Sequence, residues 1–242
     1  MTEPQRIPAG RKRRRPTRGG TVLSEELIVT TALELVEAPG HSALTVRRLG
    51  TALGCDPSAV YRYFAHTDAL LLAVADRLVG DSLDGFAPGE DWVASLRDFA
   101  TRVHRSMLRH PRLATVRASR FTAGPAECRA VDTGIGILLR AGFSPADAVR
   151  YYHVFIDTVL AHAALDAEAL GLDDAQKEQQ VRAWNDIYGD PRTDAHPNLR
   201  TVREHLPRMT RSAFPETLEL LLAQFEARLG QREGRRAPEP GR

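Results

Sequence analysis

The chain is predicted to be all-α, and three observations carry that prediction. Apolar residues recur at spacings of three and four in segment after segment. The breaks between those segments hold helix-starting and helix-stopping residues, and no segment alternates apolar with polar side chains as a half-buried strand does. The 242 residues are 43% hydrophobic and 26% charged, an ordinary globular composition with enough chain for one large domain or two smaller ones.

Ser24 is placed to cap a first helix, with Glu25 and Glu26 in its first turn and Ile28, Ala32, Leu35 and Val36 on one face, before Ala38-Pro39-Gly40 stops it. Thr67-Asp68 opens a helix carrying Leu71, Val74 and Leu78 that ends by the Gly85–Gly89 region. Val93, Leu96, Ala100, Val103 and Met107 mark the most regular helix, ending near His110-Pro111. Short helices follow over Arg112–Arg120 and Ala126–Leu139, the second weakened by Gly134 and Gly136. Ser144-Pro145 starts a helix over Ala146–Leu170 whose two apolar stripes imply burial from two sides. Asp173–Tyr188 is polar and amphipathic, Gly189 to Pro207 reads as a long loop, and Leu218, Leu221, Leu222, Phe225 and Leu229 mark a last helix.

The segment Leu44–Phe64 is punctuated differently. Thr45 caps a short helix with Val46, Leu49 and Leu53 inward, Gly54 permits a left-handed stop, and Asp56 with Pro57 starts a second helix anchored by Val60 and Phe64. That describes a helix-turn-helix whose second helix enters the major groove, with Pro57, Ser58 and Tyr61 facing outward. Arg47 can offer two donors to guanine, and the hydroxyls of Thr45, Tyr61 and Tyr63 suit phosphate oxygens; Tyr63 can equally be a core ring. The first 20 residues carry seven basic side chains against Glu3, on an otherwise mildly acidic body, which suits a polyanionic partner or a solvated tail.

On Leu44-Thr45-Val46-Arg47-Arg48-Leu49, Leu53-Gly54-Cys55, Val60-Tyr61-Arg62-Tyr63-Phe64 and Asp68-Ala69-Leu70-Leu71, the segment Ser24–Gly80 resembles the amino-terminal domain of the TetR family of bacterial repressors. Composition sets off a disordered basic arm at 1–20 and a disordered tail at 231–242, and the resemblance implies a DNA-binding domain at 21–80 and a helical effector-binding and dimerisation domain at 90–230. It implies a homodimer on a double-stranded, near-palindromic operator with half-sites roughly 34–36 Å apart, and a small-molecule effector that releases it. The loop rich in Pro and His, with the apolar helix after it, resembles the tetracycline-repressor-like branch. By position, Thr45 would meet phosphate and Arg47 a base. Pro57, Ser58, Ala59 and Tyr61 would line the recognition surface, and Tyr63 would stand on the backbone. Two positions depart from the family pattern: Tyr63 stands where His is frequent, and Thr67 where Lys is frequent. The helix Thr67–Val79 would carry the signal between domains.

Effector contacts are expected among His104, Met107, Arg117, Phe121, Tyr151, Tyr152, His153 and Phe155, large or polar groups on apolar helical faces, although core or dimer packing explains the same pattern. The rival readings are an enzyme, or a helical binding or DNA-organising module that senses nothing. No Gly-rich phosphate loop, nucleophile elbow, His-Glu-x-x-His or paired-cysteine site favours catalysis, so no metal or cofactor is expected. Cys55 and Cys128 match no metal-ligand spacing. No run reaches the roughly 20 apolar residues of a membrane span, and the basic amino terminus lacks a signal core, so a cytoplasmic protein is expected.

Overall fold

The structure, a computed structural model, describes residues 22–38, 44–189 and 196–236, without the side chains of 115–117, 119 and 232–236. The basic arm, the Pro39-Gly40 stop, the side chain of Arg117 and the end of the tail lie outside the described residues. Among those described, the chain is helical and forms no sheet. The α-helices are α1 (Glu25–Glu37), α2 (Val46–Leu53), α3 (Thr67–Ser82), α4 (Trp92–Arg109), α5 (Pro111–Ser119), α6 (Pro125–Arg140), α7 (Pro145–Gly171), α8 (Asp174–Trp184), α9 (Pro197–Thr201) and α10 (Phe214–Arg236). The chain divides into two compact units between Val74 and Ala75, within α3.

In the first unit, the Ser24 hydroxyl accepts from Leu27 N–H at 3.1 Å and so caps α1. Ile28, Val29 and Ala32 are its buried residues, while Leu35 and Val36 are half-buried. Leu49, Leu53, Val60, Leu70 and Val74 are the larger apolar side chains buried with them in this unit. On α3 Leu70 is buried where Leu71 was expected, and Leu71 itself is half-buried. The second recognition element is a 3-10 helix over Pro57–Arg62 rather than an α-helix. Its bonds run from Ala59 N–H to Asp56 O and from Tyr63 N–H to Val60 O, both 2.9 Å. The 3-10 winding is common in such short pieces.

In the second unit, α4 and α7 pack together, with α5, α6 and α10 against them. Phe99 lies at the centre, fully buried, with Phe86 edge-on at 5.6 Å and Phe155 tilted at 5.9 Å. Such ring pairs add about 0.5–1.5 kcal/mol each beyond their buried area. The Ser144 hydroxyl caps α7 and Pro145 takes its first position, as their order predicts. The expected loop from Gly189 to Pro207 contains α9 and a 3-10 helix at Arg203–Thr210, which buries Leu206. Five residues give too few positions for a periodic face, and Pro207 inside the second element reads as a helix breaker. No described helix is long and apolar enough to cross a membrane.

Candidate nucleic-acid interface and ligand cavity

The turn between α2 and the 3-10 helix is built by three constraints. Thr45 Oγ1 accepts from Arg48 N–H at 3.3 Å and starts α2. Gly54 adopts φ 61°, ψ 34°, which ends α2 in the left-handed region open to glycine. Cys55 N–H then donates back to Gly50 O at 2.9 Å, folding the chain over a glycine with no side chain to obstruct it. Asp56 Oδ1 accepts from Ser58 N–H at 2.8 Å, and hydrogen bonds from Ser58, side chain first and backbone second, hold the Asp56 carboxyl below its ordinary range. Burial pushes the Cys55 thiol up, and nearby Asp56 adds to the effect, so this sulfur is a poor thiolate.

The outward residues of these elements are Thr45, Arg47, Ser58, Tyr61 and Arg62, all exposed; Tyr61 keeps 51% of its surface open. Pro57 is half-buried, and Ala59, at 7% exposure, faces the interior. Tyr63 is half-buried and its hydroxyl donates to Leu23 O at 2.7 Å, fixing the chain ahead of α1. Thr67 is half-buried at the start of α3, where His66 Nδ1 caps the helix by accepting from Ala69 N–H at 3.0 Å. Composition suggested neither that cap nor its ring acceptor.

The second unit contains a cavity of about 440 Å³. Val79, Phe99, Val103, Ile135, Ile156 and Leu160 supply much of its apolar wall. Of the residues expected to touch an effector, Phe121, Tyr152 and His153 border it. Phe121 stands 83% exposed, Tyr152 is buried, and His153 is exposed beside Asp157, 3.1 Å away. Four others lie elsewhere. Met107 and Phe155 are core residues, and Tyr151 packs between Phe143 and Phe225. His104 Nε2 lies 2.8 Å from Asp166 Oδ2, the oxygen that also accepts from Ser212, and its ring stacks on Phe214 at 3.9 Å. His104 thus ties α4 to α7 and to the start of α10.

Thr122 and Glu127 form a polar part of the cavity wall, and sequence reasoning missed the residues that build it. Glu127 Oε2 accepts from Thr122 N–H at 2.6 Å, from the Thr122 hydroxyl at 2.8 Å and from Ala123 N–H at 2.9 Å. Asp76, buried on α3, accepts from the same hydroxyl at 2.9 Å and from Glu127 and Ala126 N–H at 2.9 and 3.1 Å. The helix α6 begins Gly124-Pro125 with no capping side chain of its own, so Asp76 caps it from another helix. The available signal was a carboxylate on the apolar face of α3, four residues after Leu72 and three before Val79. Among the described residues no group of three or more His, Cys, Asp and Glu is arranged to hold a metal.

Two family models match along the chain. Residues 28–74 match "Bacterial regulatory proteins, tetR family", and residues 86–229 match "Tetracyclin repressor-like, C-terminal domain". The chain belongs to the TetR family. Tetracycline repressor protein class C of Escherichia coli is 32% identical over 155 residues, 61% of this chain and 69% of that one. HTH-type transcriptional repressor DrrR1 of Streptomyces coeruleorubidus is 27% identical over 235 residues, covering 93% and 86%. The crystal structure of apo ActR from Streptomyces coelicolor shares the fold, with a TM-score of 0.74 at 22% identity over 87% of this chain and 98% of that one. A TetR-family chain with a helix-turn-helix head is a DNA-binding regulator of transcription, and the tetracycline-repressor-like branch is the one its second unit matches.

Proposed function

We propose that this TetR-family regulator is a homodimeric repressor, released from a near-palindromic operator by a small molecule bound in the second unit. The cavity carries this reading: about 440 Å³, mostly apolar, with a few hydrogen-bonding groups such as Thr122 and Glu127 in its wall, falls within the size range of small-molecule sites. ActR, of the same fold, has been crystallised with actinorhodin, which gives the ligand-responsive reading a parallel. In the head, Arg47 reads a base through its two donors, and Thr45 and Tyr61 meet phosphates. Ser58 and Pro57 lie on the recognition surface. Ala59 and Tyr63 act from beneath by fixing the turn, since one is buried and the other has donated its proton to Leu23. Thr67 stands at the start of α3, where a helix amino end attracts phosphate.

Dimerisation uses α7 and α10. Val154 and Leu165 on α7 and Leu220 on α10 are 45%, 65% and 74% exposed, and a symmetric four-helix contact would cover such residues. Effector release requires the ligand to bind the DNA-incompetent state more tightly than the competent one.

The test is selection of bound sequences from a random DNA pool by the full chain and by Arg47→Ala. A near-palindromic motif is expected for the wild type, and the variant should lose preference at one position per half-site, a cost of about 1–3 kcal/mol. No enrichment by the folded wild-type protein would refute the reading.

A further inference from the structure

Thr122 and Glu127 in the cavity wall both donate to Asp76 on α3, and these bonds suggest how cavity and helix are coupled. We propose that Asp76, Thr122 and Glu127 form a clasp through which cavity occupancy reaches α3, opened by a hydroxyl on a mainly apolar ligand. The inference rests on the effector-responsive reading above and gives that site its switch and its ligand chemistry.

The argument begins with one proton. The Thr122 hydroxyl lies 2.9 Å from Asp76 Oδ1 and 2.8 Å from Glu127 Oε2, yet it can donate to only one of them at a time. Both Thr122 and Glu127 also border the cavity. A ligand hydroxyl beside these two residues can donate to Glu127 while accepting the Thr122 proton. That exchange draws the proton away from Asp76, leaving the carboxylate with only its two bonds to the α6 backbone. The apolar remainder of the ligand is accommodated by walls such as Val103, Ile135 and Ile156.

The surrounding backbone is built for this contact. A Cβ on Gly124 would lie 2.1 Å from the Asp76 carboxyl carbon, so only glycine lets the carboxylate reach the start of α6. Ala123 has φ 55°, an unfavourable value for a residue with a side chain, and its N–H is held by Glu127. Strained, interlocked backbone of this kind persists only where neighbouring bonds over-determine it. Asp76 lies on α3, the helix that runs continuously from Thr67 to Ser82 and so joins the first unit to the second. Asp76 is therefore a positioning residue, acting on DNA binding through α3.

Thr122→Val removes the shared proton and should mimic the occupied cavity. In the full-length protein it should weaken binding to the selected operator at least about five-fold, the lower end of ordinary allosteric coupling. Thr122→Ser should restore wild-type affinity. In an Asp76→Ala background, which leaves Thr122 no acceptor on α3, adding Thr122→Val should change affinity less than about two-fold, because the clasp is already broken. Linkage also requires that operator DNA slow amide exchange at Ala126 and Glu127 in the wild-type protein, a readout that needs no variant to fold. Wild-type affinity in Thr122→Val with lowered thermal stability, or unchanged exchange at those amides, would show a purely structural cap and overturn the clasp alone. Failure of the wild-type protein to select any DNA would instead remove the repressor reading, and the clasp with it.

Discussion

Gly50 lies buried in α2 beneath the turn, and replacing it by alanine separates two opposing effects. Alanine in a helix interior gains about 1 kcal/mol over glycine. A Cβ at Gly50, however, would stand 3.1 Å from Cys55 O, 3.1 Å from Pro57 Cα and 3.1 Å from Pro57 Cγ. Two of those three atoms are backbone, so the turn must yield by a few tenths of an ångström rather than swing a side chain aside. Overpacking of this kind costs about 1–3 kcal/mol. Gly80, in α3, is the control: its Cβ would meet only the Ala126 side chain, at 3.4 Å, an ordinary contact. The helix-propensity gain is common to both substitutions, so the difference between them isolates the cost of crowding the turn. Gly80→Ala should stabilise by up to about 1 kcal/mol, and Gly50→Ala should be about 1–3 kcal/mol worse than Gly80→Ala. Urea unfolding followed by circular dichroism, at one protein concentration, measures both. Operator affinity should fall only for Gly50→Ala, because the shifted turn carries Ser58 and Tyr61. Equal stabilisation by the two substitutions would refute the close approach of the turn to α2.

A Cβ on Gly134 would lie 2.2 Å from Tyr152 Cε2, so Gly134→Ala must displace a ring that borders the cavity. A stability loss of about 1–3 kcal/mol is expected, with a changed near-ultraviolet dichroism; an unmoved Tyr152 ring in a crystal structure of the variant would contradict it. Arg97 Nε and Nη2 donate to Glu219 Oε1 and Oε2 at 2.6 and 2.9 Å, linking α4 to α10 and lowering the Glu219 carboxyl from its ordinary 4.5. A lowered folded value means that the unfolded chain binds more protons there, so the contribution is present above the unfolded value and vanishes as pH falls through the folded one. The melting-temperature gap between wild type and Glu219→Gln should therefore be largest near neutrality and close below about pH 4; a gap independent of pH would assign it to packing.

The legible parts of this chain were those in which one segment carries its own instructions. Ser24, Thr45, Asp56 and Ser144 each accept from a backbone N–H two or three residues ahead, so cap and helix start stand side by side in sequence. Val60 and Leu49 likewise announce their buried faces through spacing alone. Cavity walls are less legible, because periodicity marks an inward face without saying whether it meets another side chain or open space. Phe155 and Tyr152 are three residues apart on α7 and both buried, yet only Tyr152 borders the cavity. His104 looked equally suitable, but its place was decided by Asp166, sixty-two residues away, and by Phe214.

The same distinction explains why the bonds joining Asp76, Thr122 and Glu127 are not legible in the sequence. Gly124-Pro125 is a sound helix start by composition, and its missing capping side chain is an absence that the local sequence does not fill. The cap comes from Asp76, fifty residues earlier in chain order from Ala126, and reaches α6 only because Gly124 leaves space for it. A helix start that cannot cap itself must take a bond from elsewhere or leave buried N–H groups unsatisfied. Where that bond comes from a different helix, the cap ties the positions of the two helices together, which a self-capped start such as Ser144 cannot do. Unfilled local instructions therefore mark places where one element can sense another, and in this chain that place adjoins the cavity of the second unit.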